Sequence, residues 1–315
     1  MLVSTMVIAL AGATGTIGKA TLKKLIHLGY TVRPLSRQEL ASAQACSQAL
    51  ALEGRKTSGP VKAVISCMAS RTGQAEDAWA VDYQANANLL LAAKEQQASK
   101  FVLLSAICVQ KPQLAFQHAK LKFEVQLQAS GLNYSIVRPT AFFKSLSGQL
   151  ARVKKGGPFY VFGDGRLTYC KPISDDDLAE FLVDCLNQPE RSNATLLVGG
   201  PGPALCPMDQ AAMMQALLSR PVKVRHVPIG LLKAIIAMLS LLGRFHSGLA
   251  KKADYARIGL YYATESMLTW DASTQSYRED LTPSFGSQQL INHYRKVLLE
   301  DLASSRFPSA KRPYP

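Results

Sequence analysis

Short runs of β-branched and apolar residues recur along the chain: MVIALAG (6–12), TVRPLSR (31–37), VKAVISC (61–67), KFVLLSA (100–106) and NYSIVRP (133–139). Helical patterns at 16–28, 79–97 and 115–130 fall between most of them. Strand–helix–strand alternation predicts a parallel sheet with helices on both faces, an α/β class of fold. Beyond Arg138 the alternation loosens. A helix at 174–188 opens on a Ser/Asp cap, a strand follows at 194–198, and helices come at about 207–218 and 229–242. The expected division is a core over 1–188 and a smaller substrate-side region over 189–315, with a loose, basic, Pro-rich tail from about 304. There is no internal repeat. The longest apolar run, IGLLKAIIAMLSLLG (229–243), carries Lys233 and falls short of the ~20 residues that cross a bilayer. It is expected as a buried helix, with a membrane surface as the alternative.

With 315 residues, 48% of them apolar, the chain has ample material for a packed interior, so disorder is excluded. A formal charge of +14 changes the picture more. It suits nucleic acid, an anionic membrane surface or anionic small molecules, and no stacking motif of aromatic and basic residues supports nucleic acid. Six cysteines (Cys46, Cys67, Cys108, Cys170, Cys185, Cys206) are scattered without C-x-x-C pairs or metal-ligand spacing, which reads as reduced, mostly buried thiols and no metal site. The opening MLVSTMVIALAG has no positive stretch before its apolar run and reads as a first strand rather than a signal peptide. The expected location is the cytosol of a bacterium, or a plastid if a leader has been removed.

The first strand ends in Gly12, Gly15 and Gly18, spaced G-x-x-G-x-x-G before a helix. Glycines let the backbone turn sharply and approach a pyrophosphate, while the helix N-terminus supplies N–H groups and positive dipole. This makes the α/β core a Rossmann-like doubly wound sheet, with Thr14, Thr16 and Ile17 as further contacts of the turn. At the end of the second strand, where an acidic residue would favour NAD, stand Ser36 and Arg37. Arg37 suits a 2′-phosphate, so NADPH is expected, and Arg33, Lys19 and Lys23 add positive field. Cys67 and Ser105, at the ends of the third and fourth strands, complete the expected cofactor contacts. Short-chain dehydrogenases place Tyr-x-x-x-Lys on the next helix, and here the spacing gives Phe116 and Lys120. Phenylalanine cannot transfer a proton, so Lys120 keeps a cofactor-positioning role while carbonyl–alcohol chemistry loses its acid.

SCMASRTG (66–73), FVLLSAICVQKP (101–112), AKLKFE (119–124), YSIVRPTAFFKSLSGQ (134–149), FGDGR (162–166), CKPIS (170–174), GGPG (199–202) and IGLYYATESML (258–268) together resemble the NADPH-dependent divinyl chlorophyllide 8-vinyl reductase family. That family is an atypical branch of the extended short-chain dehydrogenases, and the resemblance runs from about residue 7 to 299. It implies conjugate reduction of a C=C bond, which needs no phenol acid at a carbonyl oxygen. It also implies a flat tetrapyrrole substrate with a propionate, met by Phe142, Phe143, Lys144, Lys171, Tyr261 and Tyr262, and peripheral contact with a photosynthetic membrane. The proton donor and the oligomeric state stay open. One departure stands out: between Arg37 and Pro60 there is room for one helix, about 38–52, where the family spends more residues on a further strand. The expected consequences are a sheet one strand smaller or weaker adenine binding. A non-catalytic NADPH-binding sensor or assembly protein, and an atypical reductase of another conjugated bond, are the competing readings.

Overall fold

The computed structural model describes residues 6–51 and 59–306, with side chains as far as residue 299. The first half alternates as the sequence leads one to expect: β1 (Val7–Ala11), α1 (Thr16–His27), β2 (Thr31–Leu35), α2 (Ala43–Ala51), β3 (Val61–Ser66), α3 (Ala75–Ala78), α4 (Asn86–Glu95), β4 (Lys100–Leu104), α5 (Ala115–Gln128) and β5 (Asn133–Pro139). Then follow α6 (Phe143–Leu146), α7 (Leu150–Lys154), β6 (Phe159–Phe162), α8 (Asp175–Asp184), β7 (Ala194–Val198), α9 (Pro207–Leu218), β8 (Val224–Val227), α10 (Ile229–Leu242), α11 (Ser247–Thr264), β9 (Thr269–Asp271), β10 (Ser276–Arg278) and α12 (Leu290–Arg306).

Six parallel strands form the main sheet in the order β2-β1-β3-β4-β5-β7. β1 and β4 are buried at every position, as central strands covered on both faces must be. One face is closed by α2, α4 and α5 through Leu50, Leu89, Phe101, Phe123 and Leu127. The other is closed by α1 and α8 through Ile8, Leu10, Leu25, Leu178 and Leu182. The chain reverses direction across the sheet between β1 and β3, and ligands of such sheets bind at that switch, beyond the carboxyl ends of the strands.

The short crossover has the structural result expected of it. Among the described residues, α2 is the one helix between β2 and β3, and β2 is left as a sheet edge. Arg33, expected to add field to a cofactor site, is instead buried: its guanidinium donates to the carbonyls of Ala49, Leu50 and Gly59 and ties the end of α2 to the sheet.

The second unit pairs β6 with β8 and packs Phe143, Val161, Met214, Leu290 and Tyr294 into its own core. The two units interleave along the chain. Residues 143–161 join later ones in the second core, while β7, beyond the cut drawn at 188, is the last strand of the main sheet. α12 runs to Arg306, into the stretch expected to be loose, and the rest of that tail lies outside the described residues.

α10 corrects the sequence reading. Its apolar run was expected to be buried, yet no residue of α10 is buried. It pairs with α11 as a protruding hairpin and exposes Leu231, Ile235, Met238, Leu241 and Leu242, with Phe245 at the tip 81% exposed. No described helix is long and apolar enough to cross a membrane.

Candidate functional site

Gly12 takes a φ of +77°, and a Cβ built there would stand 2.7 Å from the Cys67 carbonyl oxygen. At Gly18 a Cβ would stand 2.0 Å from the Gly12 carbonyl oxygen, so both positions require glycine. The Gly15 N–H closes the turn on Gly12 O at 3.0 Å, and Gly15 caps α1 with no side-chain bond to its first N–H groups. Thr14 and Gly15 are exposed, Thr16 begins the helix, and Ile17 anchors it in the core. The arrangement leaves the orphan N–H groups of a helix start facing an open cradle that only glycine keeps clear, which fits a dinucleotide pyrophosphate. Cys67 meets the turn through its backbone, its N–H bonding Ala11 O at 3.0 Å. Burial pushes its thiol up to about 12, so the sulfur is inert there.

Arg37 lies just past β2 and is exposed. Its charge acts on Asp77 of α3. Burial pushes the Asp77 carboxyl up, but the hydrogen bonds from Thr72, followed by the backbone of Arg71 and the charge of Arg37, hold it below its ordinary value. The guanidinium therefore stands beside the β2 edge of the described sheet, open to solvent.

Lys120 does not stand alone. Its Nζ lies 2.8 Å from Oδ1 of Asp82, and both side chains are buried. Asp82 sits on a π-helical segment, Trp79–Ala85, between α3 and α4, a local widening typical of functional positions. The Ser70 N–H faces both carboxylate oxygens at 3.3 Å, and Asn86 donates to the Asp82 carbonyl while accepting from Ser66 Oγ at 2.6 Å. Asp82 and Asn86 escaped the sequence reading, which took 79–97 as one regular helix. The signal available was an Asp and an Asn four apart, on one helical face, among other polar residues of the same stretch.

One turn before Lys120, Phe116 packs with Ala78, Ile107, Cys108 and Tyr261. Ser105, expected to touch the cofactor, has both donors engaged elsewhere: its hydroxyl bonds Glu124, which Arg138 also holds, and its N–H bonds Val137 O at 2.7 Å. That is a structural brace between α5 and β5.

A cavity of about 550 Å³ opens beyond the ends of β4 and β5, with walls that include Ile107, Cys108, Phe142, Leu146, Tyr160, Tyr169 and Tyr262. Its size and mostly apolar walls suit a large flat ligand. Phe142 lines it, but Phe143 turns into the core of the second unit. Tyr261 is buried and donates to Cys108 O at 2.8 Å and Lys111 O at 3.1 Å, setting α11 against the loop after β4. Tyr262, edge-on to it at 5.7 Å, presents its ring to the cavity and is 46% exposed. Burial of its phenol end, followed by Cys108 beside it, pushes it well above the ordinary range, which makes it a weaker acid than a free tyrosine.

The cations assigned to the substrate carboxylate are placed differently. Lys171 is buried and donates to Thr282 O at 3.3 Å, while Lys144 reaches Thr16 at the glycine turn. Among the described residues no lysine or arginine lines the cavity; Lys111 stands behind its wall, its Nζ 2.8 Å from Oε2 of the lining Glu265, and the Arg152 guanidinium stacks 5.1 Å from the ring of the lining Tyr160.

A family model described as NAD(P)H-binding matches residues 12–189. The chain is 44% identical over 324 residues to the divinyl chlorophyllide a 8-vinyl-reductase of Cucumis sativus, covering 94% of this chain and 77% of that protein. Against the Zea mays reductase it is 43% identical over 321 residues, with 94% and 80% covered. The chain belongs to this reductase family. An alignment of 324 residues over 94% of a 315-residue chain requires insertions in the cucumber protein, in keeping with the short crossover. Among solved structures, an NADPH-dependent quinone oxidoreductase from Escherichia coli, complexed with NADPH, superposes with a TM-score of 0.63 at 17% identity over 92% of this chain and 99% of that one. That likeness shows the fold.

Proposed function

We propose that this protein reduces the 8-vinyl group of divinyl chlorophyllide, or of its protochlorophyllide counterpart, to an ethyl group with NADPH. Family membership over nearly the whole chain carries this reading. The site supports it: the glycine cradle and Arg37 suit NADPH, and a phenylalanine occupies the place where carbonyl chemistry needs a phenol.

When bound, NADPH would supply a hydride to the vinyl group, and a proton would complete the ethyl product. The residues of this chain divide the remaining tasks. Arg37 meets the 2′-phosphate, and the first N–H groups of α1, at Thr16, Ile17 and Gly18, meet the pyrophosphate. Lys120, held by Asp82, orients the nicotinamide ribose. Phe142 and Tyr262 sandwich the ring system, and Arg152 takes the propionate at the rim. Tyr262, a phenol at the cavity wall, is assigned as the proton source on its position alone. The direct test is to incubate the protein in the dark with NADPH and divinyl chlorophyllide a and separate the pigments. A monovinyl product that depends on NADPH supports the reading, and unchanged pigment beside bound NADPH favours a binding protein.

We also place the protein at an anionic membrane surface of a chlorophyll-making compartment. The apolar face of α10 is flanked by Lys233, Arg244, Lys251, Lys252 and Arg257 against Asp254, the composition of a helix that lies in a lipid interface. α11 joins that hairpin to the cavity wall at Tyr262, so an apolar pigment would be received beside the bilayer.

A further inference from the structure

Lys144 belongs to the segment 142–149, which follows β5 and builds one side of the cavity through Phe142, Ser145, Leu146, Gly148 and Gln149. Its own side chain leaves that side. It is exposed, and its Nζ lies 2.9 Å from Oγ1 of Thr16, the first residue of α1. We propose that Lys144 is a ligand of the dinucleotide pyrophosphate and that, through it, cofactor binding sets the shape of the substrate cavity. The proposal rests on NADPH occupying the glycine turn.

Electrostatics argue for an anion between the two groups. The N-terminus of a helix carries partial positive charge, and a lysine ammonium beside it is unfavourable unless a negative group lies between. In the structure the charge of Lys144 also acts on Asp175, whose carboxyl is pushed up by burial, pulled back by His293, raised by Asp176 and lowered by Lys144. A pyrophosphate seated on the N–H groups of α1 would meet the ammonium directly, as a charge-assisted contact.

The coupling follows from how the segment is held. On the substrate side it is fastened at several points: Tyr294 Oη donates to Leu146 O at 2.8 Å, Ser147 Oγ lies 3.1 Å from His293 Nε2, and Gln149 bonds the backbone of Tyr160. Towards the dinucleotide half Phe142 packs on the main-sheet core and the Phe143 N–H bonds Ile173 O at 3.2 Å, while the contact with the glycine turn itself is made by Lys144. α6 is a single turn, so drawing Lys144 onto a phosphate moves the backbone it shares with Phe142 and Ser145. The cofactor should therefore bind first and complete the cavity for the pigment.

The test uses the full-length protein and two titrations. In the first, NADPH and NADH affinities are measured by calorimetry for the wild type, Lys144→Ala and Lys144→Arg. Loss of a charge-assisted phosphate contact should weaken both nucleotides in the alanine variant by the same factor, about tenfold, and the arginine variant should recover most of it. In the second, divinyl chlorophyllide a binding is followed by its absorbance with and without NADP⁺. NADP⁺ should tighten pigment binding in the wild type but not in Lys144→Ala, whose pigment affinity without nucleotide should be unchanged. Unaltered nucleotide affinity in a variant that melts like the wild type would overturn the proposal. So would weakening of NADPH with NADH spared, which marks a 2′-phosphate contact, or loss of pigment binding without nucleotide, which marks a substrate contact. The first titration needs no pigment, so it decides the phosphate role even if the pigment proves to be the wrong substrate.

Discussion

Lys120 Nζ and Asp82 Oδ1 stand 2.8 Å apart in a buried ion pair that links α5 to the π-helical segment before α4. Removing one partner of a buried pair strands the other charge, at a cost of about 3–5 kcal/mol. Asp82→Asn should therefore lower the urea midpoint and also release Lys120 from its position, reducing turnover more than NADPH affinity. The Asp82→Asn, Lys120→Met double variant should regain stability over Asp82→Asn alone while staying inactive. If it does not regain stability, the two groups are not coupled.

Arg37 stands exposed beside the edge strand β2. If it meets the 2′-phosphate as proposed, that contact should separate NADPH from NADH. Arg37→Ala is expected to weaken NADPH by about tenfold or more, the worth of a hydrogen bond to a charged group, and NADH hardly at all. Equal weakening of the two in parallel titrations would remove the assignment.

How much of this was legible in the chain depends on the range of the interaction. The strand–helix alternation, the glycine turn and the short crossover are local patterns, and each appears in the structure much as the sequence implies. Lys144 and Lys171 show the opposite. Both are cations within motifs of the family, but which way each side chain points is set by residues far along the chain, Thr16 and Thr282. Asp82 was hidden for a similar reason, since a π-helical segment breaks the 3.6-residue period by which a functional face is recognised. α10 misled because an apolar run states only that its residues avoid water, not whether protein or lipid covers them.

Tyr262 lines the ring-sized cavity assigned to the pigment, and its phenol is the proposed proton source. Tyr262→Phe keeps the wall and removes the proton. Turnover should fall by about a hundredfold, the lower range for loss of general acid catalysis, with pigment affinity nearly unchanged. A solvent deuterium isotope effect on turnover in the wild type that persists undiminished in the variant would point to another donor.

The buried thiols make a pH prediction. Burial raises Cys67 and Cys170 to about 12 and Cys46 to about 11. Because the folded values lie above the unfolded one, these groups contribute stability in full below the unfolded thiol pKa, and the contribution is lost as pH rises towards the folded values. The urea midpoint should decline between about pH 8.5 and 11, and the cysteines should resist iodoacetamide at pH 8 until the protein is unfolded. Rapid alkylation of Cys67 in the folded protein, seen by peptide mass mapping, would contradict its burial.

Membrane contact through α10 can be checked by sedimentation with vesicles. The wild type should co-sediment with anionic vesicles and much less with neutral ones, and Met238→Glu with Phe245→Glu should abolish the difference without lowering the melting temperature. Binding that survives both substitutions would place the contact elsewhere.

Reduction of the vinyl group by hydride from NADPH is tested most directly with NADPH deuterated at the transferring position of the nicotinamide. After incubation in the dark with divinyl chlorophyllide a, the pigment product is analysed by mass spectrometry. The expected result is a monovinyl pigment with one deuterium, located in its new ethyl group. Pigment recovered with its vinyl group intact, from protein shown in the same preparation to bind NADPH, would contradict the account.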